Sequence, residues 1–151
     1  MKNQKGFSLV ELLVVVIIIA IVAAIAIPNL LASRRAANEA SAISSLRTIH
    51  SAQSTYFATT GSNTNYAALT SLTGLIDATL AVAAPAKSGY DFAATVPAAA
   101  PLSTYCATAS PQSSSTGTRH FGVSIDGVIY AHSAALTCAA GVLTVAGTPI
   151  Q

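Results

Sequence analysis

The chain has no tryptophan, one methionine and two cysteines, and only 8% of its 151 residues are charged. Seven basic residues face five acidic ones, and no cluster makes the basic patch that nucleic acid requires. Gly-rich phosphate loops and a G-x-S-x-G nucleophile elbow are missing, which leaves enzymatic readings without support and implies no cofactor. His50, His120 and His132 have no paired Cys or Asp beside them, so they do not read as a metal site of three or four ligands. Beyond the first 58 residues the carboxylates are Asp77, Asp91 and Asp126, spaced singly, whereas calcium wants several oxygens together. The chain has no N-x-[ST] sequon, and the hydroxyl-rich stretch 103–118 reads either as a plain polar loop or as a carrier of O-linked sugar. Aromatics are 6%, too few to encourage a path of stacked rings.

What is present begins at the N-terminus. Lys2 and Lys5 precede an apolar run from Phe7 to Ile27 whose one charged residue is Glu11. As a helix this run is about 30 Å long, enough to cross a bilayer, and the leading lysines put its start on the cytoplasmic side. An ordinary secretory signal cut after Ala24-Ile25-Ala26 would have a core of about 7–15 residues without a charge. A permanent anchor fits the length but leaves Glu11 unexplained. A carboxylate in lipid needs a named partner, and no Lys or Arg lies between Lys5 and Arg34. Cleavage after Gly6 would give Phe7 a new α-amine one turn before Glu11, able to satisfy the Glu of its own chain or of another copy.

Gly6-Phe7-Ser8-Leu9-Val10-Glu11-Leu12-Leu13, running on to Ile27-Pro28, resembles the class III signal of type IV pilins and pseudopilins. The resemblance covers about the first 30 residues. It implies cleavage between Gly6 and Phe7 by a prepilin peptidase, N-methylation of Phe7, and a role for Glu11 in guiding each subunit onto a growing filament. The implied fold is the pilin fold, an α+β arrangement of one long helix on a small antiparallel sheet. The implied partners are the peptidase and methyltransferase, the inner membrane before assembly, the assembly machinery and other copies of the chain, with an extracellular pilus as destination. A pseudopilin of type II secretion is the alternative. Its major form usually carries a calcium site in the C-terminal loop, and here no carboxylate follows Asp126, which favours a pilus subunit. A membrane-anchored binding domain that never polymerises is the reading of a different class.

These readings divide the chain into a leader (1–6), a membrane or filament-core helix (7–28), an amphipathic half-helix (29–58), a connector (59–87) and a sheet region (88–151). Loss of Lys2 and Lys5 with the leader leaves five basic and five acidic side chains. Pro28 predicts a kink in a helix that continues to Phe57. Ala40, Ile43, Leu46 and Ile49, continued by Tyr56 and Phe57, form the stripe expected against the sheet. Arg34, Arg35, Glu39 and Arg47 lie mostly off it, with an Arg35–Glu39 pair at i,i+4 available. Gly61-Ser62-Asn63 ends the helix, and a short helix is expected around Tyr66–Leu72. Tyr90, Phe92, Ala94 and Val96 alternate as a strand, 97–101 turns, 104–110 is a weaker strand, and Val142–Val145 is a last strand or a pinned segment.

Asp126-Gly127 between alternating apolar runs predicts a two-residue hairpin. That register pairs Ile125 with Val128, Val123 with Tyr130 and Phe121 with His132, all on the face against the helix, and sends His120 and His132 to opposite faces. Cys106 and Cys138, an even pair in an exported domain, read as a disulfide, with two free thiols as the rival.

Overall fold

The computed structural model describes residues 6–98, 103–144 and 147–150. The lysines of the leader, residues 99–101 of the expected turn and Val145 of the apolar tetrad lie outside the described residues. The chain divides into two units, Met1–Arg34 and Arg35–Gln151. One helix, α1 (Leu9–Ala58), contributes to both, with Pro28 inside it.

In the first unit every large apolar side chain from Phe7 to Leu31 is exposed. The helix has no polar face, the pattern of a helix solvated by lipid or by other apolar helices. Pro28 has no N–H to offer the carbonyl of Ala24. One residue on, Asn29 Nδ2 donates to Ile25 O at 3.1 Å, and Ser33 Oγ donates to Asn29 O at 3.0 Å, so neighbouring side chains serve the backbone around the proline.

In the second unit α1 buries a single stripe, Ala42, Leu46, Ile49 and Ala52, against a sheet. The 4-3-3 spacing of these positions follows the 3.6-residue period. The expected stripe began one step off it: Ala40 is exposed, because a strict three-residue repeat drifts around the helix, while Ile43 and Tyr56 are partly buried at its margin.

The sheet has six antiparallel strands in the order β1 (Ala86–Lys87), β2 (Tyr90–Thr95), β3 (Cys106–Pro111), β4 (His120–Ser124), β5 (Ile129–His132) and β8 (Thr148–Pro149). A separate ribbon joins β6 (Thr137–Ala139) to β7 (Val142–Thr144). Register sets Phe92 against Ala109, Ala109 against Phe121, and Phe121 against Ala131. Large and small side chains thus alternate across the buried face, which lets the layers interdigitate. Both edge strands are two residues long, and they carry Lys87 and Pro149, a charge and a missing donor that discourage further pairing.

The β4–β5 hairpin is shifted by one residue from the expected register. Val123 faces Ile129, Phe121 faces Ala131 and His120 faces His132. The turn closes with Gly127 N donating to Ser124 O at 3.0 Å, and Gly127 is left-handed at φ 72. This is the longer, bulged loop rather than the two-residue one. Asp126 holds it: Oδ1 accepts from Ser124 Oγ and Val128 N, and Oδ2 accepts from Tyr130 Oη. The slip moves Tyr130 and His132 to the outer face and brings Ile129 and Ala131 to the core.

Helix α1 ends through Gly61 N to Tyr56 O at 2.7 Å and Asn63 N to Phe57 O at 2.9 Å, with Ser62 and Asn63 left-handed. The connector holds a 3₁₀ turn, Leu69–Leu72, rather than an α-helix, and it buries Leu69, Leu72, Ile76 and Leu80 while Leu75 stays exposed. Gln53, fully buried, pairs with the backbone of Ala67 in both directions, donating to its O at 2.6 Å and accepting from its N at 3.0 Å. Cys106 and Cys138 form a disulfide that ties β3 to β6, 32 residues apart, worth about 3–4 kcal/mol if the constraint acts on the unfolded chain.

Gln53→Leu leaves the N–H and C=O of Ala67 buried without partners, and it lowers stability by about 2 kcal/mol. Thermal unfolding of the full chain in detergent checks this. An unchanged midpoint would mean that the amide pairing contributes nothing.

Candidate functional site

Two clusters of polar chemistry stand out, one in each unit. The first is the start of α1. Ser8 precedes the first helical residue, and its backbone N–H donates to Glu11 Oε2 at 2.9 Å while Leu12 N donates to Ser8 O at 3.3 Å. This is the reciprocal half of a capping box, a carboxylate at the third helical position reaching back to the cap. Glu11 therefore has a partner within its own chain, although no Lys or Arg is in reach by sequence. The S-x-x-E spacing of Ser8 and Glu11 is the signal that sequence reasoning passed over. The carboxylate also sits where the helix dipole favours negative charge.

Phe7 is 83% exposed. A Cβ built at Gly6 would meet nothing within 4 Å. Among the described residues no packing contact requires glycine at that position.

The second cluster lies where the loop after β3 meets the helix. Glu39 is 7% exposed, on the helix face turned to its own domain. Its Oε1 accepts from Thr118 N and Thr118 Oγ1, each at 3.1 Å, and Oε2 accepts from Arg119 Nε at 2.9 Å and Nη2 at 2.7 Å. The partner is thus Arg119, eighty residues away, and not Arg35. A tertiary ion pair with two guanidinium nitrogens on one oxygen and two further donors on the other outcompetes an i,i+4 contact worth tenths of a kcal/mol. Burial pushes the Glu39 carboxyl up, but the Thr118 N–H and the Arg119 guanidinium outweigh it and hold the group below its ordinary value of 4.5. Asn38 Nδ2 adds a bond to Thr116 O at 2.9 Å, and Tyr90 Oη donates to Arg119 O at 2.9 Å. Burial and the Glu39 charge raise Tyr90 to about 12. Gly117 lies against that phenol, and a Cβ there would collide with Tyr90 Oη.

The histidines are distributed differently from expectation. His50 Nδ1 is bonded to Tyr105 Oη. His120 and His132 sit opposite each other on β4 and β5. Burial, with the neighbouring His132, lowers the His120 pKa. Among the described residues no group of three or more His, Cys, Asp or Glu side chains gathers to hold a metal ion.

The family description "Prokaryotic N-terminal methylation motif" matches residues 1–27. A curated protein, the type IV wide pilus major component PilA4 of Thermus thermophilus, is 54% identical over 39 residues, 26% of this chain and 30% of that protein. The chain therefore matches about a third of the length of this relative. No solved structure matches.

Glu39→Gln should lower stability by about 2 kcal/mol at neutral pH, because charge-assisted bonds are replaced by neutral ones. The folded-state carboxyl titrates below 4.5, so its stabilising contribution is complete above that pH and is lost as pH falls through the folded value. Thermal midpoints of wild type and variant in detergent should converge in acid. A gap that stays constant however far the pH is lowered would assign the effect to shape and not to charge.

Proposed function

We propose, from the premise that this chain is a type IV pilin-like precursor, that it is the structural subunit of a type IV pilus and not an enzyme. The observation that carries the proposal is a spanning helix with no polar face whose one charge is capped at its start by its own backbone. Two solvents suit such a helix, lipid before assembly and the helices of other copies after it. The first fits a membrane-anchored precursor, the second a filament core. The likeness to a pilus major component over the N-terminal segment supports the same choice.

The proposed sequence of events follows from the charges. A peptidase of the assembly system cuts between Gly6 and Phe7 and the new amine is methylated. Processing removes Lys2 and Lys5 and leaves one amine at the helix start. That amine and the carboxylate of Glu11 on an adjacent subunit neutralise each other as apolar helices leave lipid. A buried pair of this kind sets register more than it adds stability.

Mass spectrometry of sheared surface filaments tests the assignment. An abundant N-terminal peptide beginning at methylated Phe7 is expected. The same peptide confined to the envelope would assign the chain to a secretion pseudopilus, and an intact Met1 leader on a functional protein would overturn the processing step. Site variants separate the stages. Gly6→Leu should accumulate as precursor, while Glu11→Ala should be processed to mature size and fail to enter filaments, both read on immunoblots of cell and sheared fractions. Normal filaments from Glu11→Ala would refute the proposed role of the carboxylate.

A further inference from the structure

We propose that His120 and His132 form a two-imidazole site for a divalent transition-metal ion of the copper, nickel and zinc class. The inference rests on the β4–β5 register and is independent of filament assembly. Directly opposed residues of an antiparallel pair put their side chains on one face with Cβ atoms about 5 Å apart, a span that one metal ion can bridge between two rings. Both residues lie on the outer face, opposite the one packed on the helix, and both are partly exposed.

The rings are also oriented as ligands are. His120 Nδ1 is bonded to Ser110 Oγ at 3.1 Å. His132 Nδ1 accepts from Ala134 N at 3.0 Å and lies 3.2 Å from Ala134 O. With Nδ1–H donating to the Ser110 oxygen, the Nε2 lone pair of His120 is free to coordinate. His132, whose Nδ1 accepts from Ala134 N–H, takes a metal at Nε2 once its proton moves from Nε2 to Nδ1, where the Ala134 carbonyl can accept its hydrogen bond. A hydrogen bond at the far nitrogen is the usual way in which a ligating histidine has its tautomer and ring plane set. Among the described residues neither Nε2 takes a hydrogen bond, which leaves these atoms to solvent.

Charge does not oppose a cation at the pair. A neighbouring positive side chain, Arg119, borders a shallow depression with His132, Ser133 and Thr148, and its guanidinium is paired with Glu39. Metal-bound water can occupy that depression. With two nitrogen ligands and no thiolate or carboxylate, the donor set matches copper, nickel and zinc and not calcium or magnesium. Two ligands also mean an exchangeable site and not a structural one. Cu2+ binds such donors most tightly of the three, and is the probe to use.

The test is titration of the full chain in detergent micelles with Cu2+, followed by calorimetry. One saturable site per chain is expected, abolished by His120→Gln and by His132→Gln. Ser110→Ala should weaken it by about 10-fold, as loss of an orienting partner does. Binding that survives both histidine variants, or no saturable binding in the wild type, would overturn the proposal. Should either variant fail to fold, Cu2+ broadening of the wild-type histidine NMR signals decides. Loss of the His120 and His132 signals before that of His50 supports the site, and loss of His50 first or uniform broadening refutes it.

Discussion

The body of the protein depends on one carboxylate. Glu39 is buried on the helix and takes four donor atoms from Thr118 and Arg119, the two residues that lead into β4. A buried charge is tolerated only when it is paired and fully hydrogen-bonded. This one therefore fixes where the loop after β3 must return, and hence where β4 starts on the helix. Asn38, one residue earlier, holds Thr116 by its backbone, and Tyr90 of β2 bonds Arg119 O. Three elements are pinned at a single corner. From that corner the Phe–Ala alternation across β2, β3, β4 and β5 can only meet the helix in one register.

The far end of the same helix is held by a neutral device. Gln53 matches its amide to the backbone of Ala67, so the connector's first turn is stitched to the helix without any charge. Between the two ends the contacts are apolar and non-directional. They supply most of the free energy but little of the positional information. Positional information comes from a few buried polar groups, which suits a domain with only 8% charged residues.

What could be read from the sequence is what local chemistry determines. The Phe7–Ile27 run, the lone Glu11 and the basic leader are adjacent residues whose meaning needs no partner elsewhere. The α+β architecture, the end of the helix near Gly61 and the place of the Asp126-Gly127 turn are equally local, and the pairing of two cysteines leaves no alternative partner. The missed features share a different origin. Glu39 read as a local partner for Arg35 because its actual partner, Arg119, is eighty residues away in sequence. The helix stripe drifted because a three-residue repeat imitates the helical period over a short window. The hairpin register slipped because Asp-Gly is compatible with both a two-residue and a bulged loop. Asp126 decides between them by binding Ser124, Val128 and Tyr130, contacts that exist only once the bulged loop has formed. That one-residue slip carried His132 to the face of His120.

Glu11 and Glu39 show the same physics applied to two environments. Each is a carboxylate on one helix that must be satisfied away from water. Glu39 is satisfied permanently, by a cation and a loop of its own domain, and its partners cannot leave without unfolding part of the sheet. Among the described residues Glu11 is satisfied by the N–H of Ser8, a local contact that costs little to exchange. A single backbone donor also leaves the second carboxylate oxygen able to accept another partner. Under the proposed processing, the new amine of a neighbouring subunit would be a stronger partner than that amide, because both of its members are charged. In the proposed assembly, a carboxylate held by one neutral donor would be protected while the chain waits in lipid and would remain available when the charged partner arrives. On that proposal the intramolecular bonding, one neutral donor among the described residues for Glu11 and four donor atoms for Glu39, separates a group kept for assembly from one committed to the fold.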